Sequence, residues 1–171
     1  MRLWQTVALS VALAAPISVH AGALDGFYGG AALGYADASA SGTSGDGEIF
    51  GVFGGYNYTW GATVVGGELS YDTTNIDLSG GGSFDEMLRL KGRVGTEIGD
   101  GLLYGTLGYV RGYSTGFGDD DGWLYGFGYD YNLSDTTFIG AEYLRQEFDS
   151  FGSSGLDFDV DTYSLRVGFR F

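Results

Sequence analysis

Residues 161–171 read DTYSLRVGFRF and alternate without a break. Tyr163, Leu165, Val167, Phe169 and Phe171 fall on one face, and Thr162, Ser164, Arg166, Gly168 and Arg170 on the other. Side chains of a strand point to opposite faces with period two. This stretch is therefore one strand with an apolar side and a polar, basic side. Its length is about what a tilted strand needs to cross a bilayer. A half-buried strand of a soluble sheet would alternate in the same way, so the rest of the chain has to separate the two.

The start of the chain, residues 1–21, reads as a cleavable signal peptide. Arg2 supplies the positive start, residues 7–15 form an apolar core, and Val19-His20-Ala21 has the small-x-small pattern of a cleavage site. Ala21-Gly22-Ala23 has the same pattern, so the cut falls after residue 21 or after 23. The apolar core is too short for a spanning helix, and no later stretch supplies ~18 consecutive apolar residues. Any crossing of a membrane must be made by strands.

Residues 22–171 are enough for one domain. Cysteine is absent, so neither disulfides nor thiolate chemistry are available. Pro16 and His20, the only proline and histidine, both lie in the leader. Without a later histidine, Ser-His-Asp and Cys-His catalysis cannot be assembled, and common zinc sites lose their ligands. An enzyme is not expected, nor a cofactor. The formal charge of −14 argues against nucleic-acid binding.

Seven more stretches read as strands: 26–36, 49–58, 63–71, 84–96, 102–112, 123–131 and 137–148. The fourth is the most pointed. Leu88, Leu90, Gly92 and Val94 alternate with Arg89, Lys91, Arg93 and Gly95. The second carries apolar residues on both faces, so no inner side is assignable. Connections alternate long and short. The long ones, 37–47, 72–83, 113–122 and 149–156, are rich in Ser, Gly and Asp. Most acidic residues lie in or beside them, Asp72 and Asp161 included. Eight strands in that rhythm predict an all-β, eight-stranded antiparallel up-and-down transmembrane β-barrel.

Closure removes every sheet edge, which lipid requires, and the lack of proline after residue 21 suits strands paired on both sides. Such a barrel is narrow, so small residues on its inner face (Gly30, Gly34, Gly66, Gly95, Gly126, Gly128, Gly168) leave room for larger neighbours. A soluble ligand-binding barrel would be apolar inside. Here the continuous apolar face lies opposite Glu68, Arg89, Lys91, Arg93, Asp130, Glu142 and Arg166. Reversed, the three bases of the fourth strand alone would meet lipid at ~2–4 kcal/mol each near the midplane. Polar-in is the tenable orientation. Tyr35, Tyr71, Tyr109, Trp123, Tyr131, Tyr143 and Phe171 sit near strand ends, where aromatic girdles form.

With GFYGGAALGY in the first strand, FGGYNY before the first turn, VVGGELSY, GAEYL and a final RVGFRF, the chain resembles the small OmpA-like, porin-family outer-membrane β-barrels of Gram-negative bacteria. The resemblance implies export through the Sec pathway to the cell outer membrane, with loops facing outside. It implies lipid, lipopolysaccharide and the barrel-assembly machinery as partners, and a monomer. It also implies an assembly signal in Tyr163, Leu165, Val167, Phe169 and Phe171. No appended peptidoglycan-binding domain is expected after Phe171. The expected function is a structural or surface-interacting barrel whose seven inner charges brace the lumen. The alternatives are a narrow or gated porin tuned by those charges, and an adhesin or ligand-capturing protein acting through its loops. Asp119-Asp120-Asp121 and Asp157-x-Asp159-x-Asp161 offer oxygen ligands suited to Ca²⁺ or Mg²⁺. Neither has the EF-hand pattern, and solvated acid is the better reading; no metal site is expected.

Overall fold

A computed structural model describes residues 24–40, 43–77, 83–115, 120–148 and 158–171. The leader and the centres of the outer loops, Asp119 and Asp157 among them, lie outside the described residues. Eight strands follow in order: β1 Gly26–Ala40, β2 Thr43–Trp60, β3 Thr63–Asp77, β4 Ser83–Ile98, β5 Gly101–Thr115, β6 Asp120–Asn132, β7 Thr137–Phe148 and β8 Phe158–Arg170. Each pairs antiparallel with its chain neighbour, and β8 returns to β1, closing the barrel. Leu33 faces Leu165 across the closing seam, and Tyr35 faces Tyr163. Among the described residues no helix is long and apolar enough to cross a membrane.

At one end the connections are tight. Gly61 and Gly99 take φ of 65° and 60° in the β2–β3 and β4–β5 turns, a region that residues with a side chain adopt at a cost. At the other end the strands run well past the lengths read from the sequence. Thr43 pairs with Ala40, so the first long connection shrinks to residues 41–42. Likewise β3 continues to Asp77, and β4 begins at Ser83. The Ser, Gly and Asp content of these extensions suggested loop. In a closed barrel, however, each backbone already has a partner ladder on either side, and that pairing overrides weak local propensity. Asp72 is the main casualty of the loop reading: it is a lumen residue of β3, 4% exposed.

The two faces divide sharply. Among the described residues twenty-eight large apolar side chains are exposed, Leu165 at 70% and Leu107 at 62% included. That is a continuous belt far larger than a water-soluble monomer leaves bare. The inner face of β2, left open by its sequence, is Ile49, Phe53 and Asn57; Phe50, Val52, Tyr56 and Tyr58 face out.

Inner glycines are held by space. A Cβ at Gly126 would sit 1.9 Å from the Tyr143 carbonyl oxygen, whereas one at outward Gly92 finds nothing nearer than 3.6 Å. Gly126→Ala is therefore expected to destabilise by about 1–3 kcal/mol through overpacking, while Gly92→Ala stays within about 0.5 kcal/mol. Urea midpoints of the refolded variants check this; equal midpoints would contradict it.

Candidate functional site

The lumen is where the chemistry-bearing side chains meet. Alternation along β3, β4, β6, β7 and β8 turns Glu68, Arg89, Lys91, Arg93, Asp130, Glu142 and Arg166 inward, and each is 6% exposed or less. Six of these seven form one connected cluster. Glu68 is its hub. Its Oε1 lies 2.6 Å from Lys91 Nζ, and its Oε2 lies 2.6 Å from Arg166 and 2.9 Å from Arg93. Glu142 joins Lys91 at 2.7 Å and Arg166 at 3.0 Å. Asp130 takes the other end of Arg93 at 2.7 Å.

Arg89 stands apart, one layer toward the long-strand end. It meets Asp72 at 2.6 Å and donates from Nε to Gln146 at 2.9 Å. Gln146 in turn donates to Thr162. Within these two layers Asp72 evens the count: four buried carboxylates (Glu68, Asp72, Asp130, Glu142) face four buried bases (Arg89, Lys91, Arg93, Arg166), while a fifth buried base, Arg170, lies outside them over the Phe138 ring. Buried charges are costly unless paired and hydrogen-bonded, so the pairing of these eight groups is a condition of the fold.

Two tyrosines belong to the cluster and were not singled out from sequence. Tyr28 donates to Glu68 at 2.9 Å and accepts from Arg93 at 2.7 Å. Tyr104 donates to Glu142 and accepts from Arg166. Their rings also carry the cations: the Arg93 guanidinium lies 3.7 Å from the Tyr104 ring centre, and Arg166 lies 4.0 Å from that of Phe53. The available signal was parity, since Tyr28 and Tyr104 sit in phase with inner glycines of their strands. The space left among Glu68, Arg89, Lys91 and Glu142 is about 20 Å³, roughly enough for one water.

Apolar groups flank this layer, although Asn57 and Arg170 are also buried toward the short-turn end. Ile49, Met87, Val110, Leu124, Leu144, Phe148 and Val160 pack together toward the long-strand end. Leu24, Val64 and Leu102 pack beside Tyr104 toward the short-turn end, and Phe53 and Phe138 stand with Tyr28 at the charged layer itself. The charged layer is thus sandwiched between greasy ones.

Outside, tyrosines mark a level near the long-strand end. Tyr35 donates to Asp46, Tyr125 to Glu147 at 2.9 Å and Tyr143 to Asp161 at 2.7 Å. In each case the carboxylate lies closer to the loops, as expected where an aromatic girdle meets water. Beyond the girdle, Arg111 and Tyr109 hold the Asp121 carboxyl down to about 2 by hydrogen bonds. Arg145 bridges Asp159 at 2.6 Å and Asp161 at 3.3 Å. Among the described residues no group of three acids converges to hold a metal.

The predicted closing strand has Tyr163, Leu165, Val167, Phe169 and Phe171 all exposed on the outer face. The family model for the outer membrane protein beta-barrel domain matches residues 6–171. The chain belongs to that family. Its place is therefore the outer membrane, and the exposed belt is the surface that meets lipid. Two solved barrels share the fold. Neisserial surface protein A is 16% identical with a TM-score of 0.62, over 85% of this chain and 97% of its own. Ail, the attachment invasion locus protein of Yersinia pestis, solved with the heparin analogue sucrose octasulfate, is 21% identical with a TM-score of 0.59, over 85% and 99%. No curated protein matches the chain by sequence.

Proposed function

We propose that this protein is a closed-lumen barrel that braces the outer membrane and presents its acidic outer ends to the surroundings, without conducting solutes or catalysing a reaction. One observation carries the reading: the Glu68-centred layer fills the cross-section, leaving room for about one water. A pore needs a continuous wet path, and the apolar layers on either side add a second barrier. In this reading the leader directs Sec export and the assembly machinery reads the strand ending at Phe171. The folded chain sits as a monomer among lipopolysaccharide, loops outward.

A surface-interacting role is favoured by the charge at the loop ends. Carboxylates, Asp37, Asp46, Glu48 and Asp161 among them, predominate over bases among the outward charges described there. The two outward guanidiniums, Arg111 and Arg145, are already engaged by acids. A sulfated polyanion such as the one bound to Ail would be repelled, so the partner this surface fits is neutral or cationic.

Single-channel recording on refolded protein in planar bilayers tests the closed lumen. The expected result is a silent bilayer. Steady, discrete conductance steps would replace this reading with the narrow-porin one. Deleting the outer loops while the barrel stays intact tests the surface role, since binding of a cell-surface partner should vanish.

A further inference from the structure

Arg2 aside, the chain has seven bases, and six of them meet a carboxylate in an ion pair. Arg170 is the seventh. Among the described residues no acid pairs with it, and its buried Nε has no acceptor. The side chain is nonetheless only 8% exposed, with its guanidinium 4.6 Å from the Phe138 ring centre. Phe138 is itself fixed over Gly168, where its ring leaves no space for a Cβ. Asp130 is already engaged by Arg93 and Arg166. A buried guanidinium without an acceptor is costly, and a carboxylate is the group whose two oxygens match its fork.

Arg170 lines a cavity of about 330 Å³ at the short-turn end, a volume within the range of small-molecule sites. Two turns frame it. The β4–β5 turn region supplies Glu97 and Asp100, and the β6–β7 turn supplies Asn132, Ser134 and Asp135. The turns are tied together, since the Asn132 backbone N–H donates to the Asp100 carbonyl at 2.8 Å. The Arg170 backbone N–H donates to the Thr136 carbonyl at 2.7 Å, which fixes the end of β8 against the second turn. Leu24, ahead of β1, folds into the mouth alongside and packs against Val64, Leu102 and Tyr104. Glu97 stands opposite Leu102 in the β4–β5 register, so the cavity lies beside that apolar stopper.

The charges select the ligand. A simple anion would have to reach Arg170 past three exposed carboxylates, Glu97, Asp100 and Asp135, and would be repelled by them. A simple cation would suit those acids and leave Arg170 unpaired. A molecule with one charge of each sign satisfies both. We infer that this cavity binds a small zwitterion of the kind a short free peptide presents, its carboxylate on Arg170 and its ammonium among Glu97, Asp100 and Asp135. The Asn132 Oδ1, which has no donor among the described residues, accepts a peptide N–H of the same molecule. The ligand enters from the side opposite the outer loops, so this site is separate from the acidic surface at the other end.

Glycine oligomers of one to four residues, titrated by NMR into isotope-labelled protein refolded in detergent micelles, test this. The Arg170 Nε–H signal reports the carboxylate, and the Asn132 side-chain amide reports the turn. At least one length is expected to shift both signals saturably, with a Kd of about 1–10 mM for so small a probe. Capping either end of that probe, by N-acetylation or C-amidation, should weaken binding about tenfold, the worth of one charge-assisted hydrogen bond. Glu97→Gln, at an exposed position, should weaken the free peptide about two- to fivefold and leave the N-acetylated one no weaker. Arg170→Lys keeps a charge without the fork and should weaken the free peptide but not the C-amidated one. If that variant fails to refold, the capped probes and Glu97→Gln decide alone. No saturable shift at any length overturns the site. An N-acetylated peptide that binds as tightly as the free one overturns the zwitterion and leaves a plain anion site, and a C-amidated one that does so removes Arg170 from the site.

Discussion

Glu68→Leu is expected to remove most of the barrel's stability. The leucine fills similar volume, but it strips the common partner of Lys91, Arg93 and Arg166 and leaves the Tyr28 hydroxyl without its acceptor. Breaking a buried ion pair from one side costs about 3–5 kcal/mol, against about 5–15 kcal/mol for a whole domain. Boiled and unboiled samples of the variant should run alike on a gel, or its urea midpoint should collapse. Pairing the change with Arg166→Met should recover much of the loss. The double variant again balances charge, with Asp130 and Glu142 against Lys91 and Arg93, and apolar replacement of a complete buried pair is often neutral or stabilising. A Glu68→Leu barrel as stable as wild type would show that Glu68 is no hub.

The second large effect is on the opposite face. Leu165→Arg, placed on the most lipid-exposed part of the closing strand, should cost about 2–4 kcal/mol in a bilayer near the midplane. The same charge at Asp37, on the loop side of the Tyr35 and Tyr163 girdle, should cost ~0–1 kcal/mol. Unfolding midpoints in lipid vesicles distinguish the two positions. Equal losses would mean that the girdle does not mark the interface.

Both expectations rest on alternation, which was legible in single strands. Leu88 to Gly95 alone, with its bases in phase, decides which face can meet lipid, because arginine and lysine in hydrocarbon are too costly to leave there. The outer ends were less legible. Asp72 sits among Ser, Thr and Asp in a stretch whose composition signals loop, yet it is the buried partner of Arg89. Its placement depends on β4 and β7 lying alongside, and no local pattern in β3 carries that information.

The sequence by itself determined the number of strands, their polarity and the seven inner charges, because period-two patterning and the cost of charge in lipid act residue by residue. The tertiary structure decided which acid meets which base, the inner face of β2, the lengths of the outer strands and the entry of Leu24 into the lumen. Those depend on register around a closed ring, where residues as far apart in the chain as Glu68 and Arg166 become neighbours only once β8 has met β1.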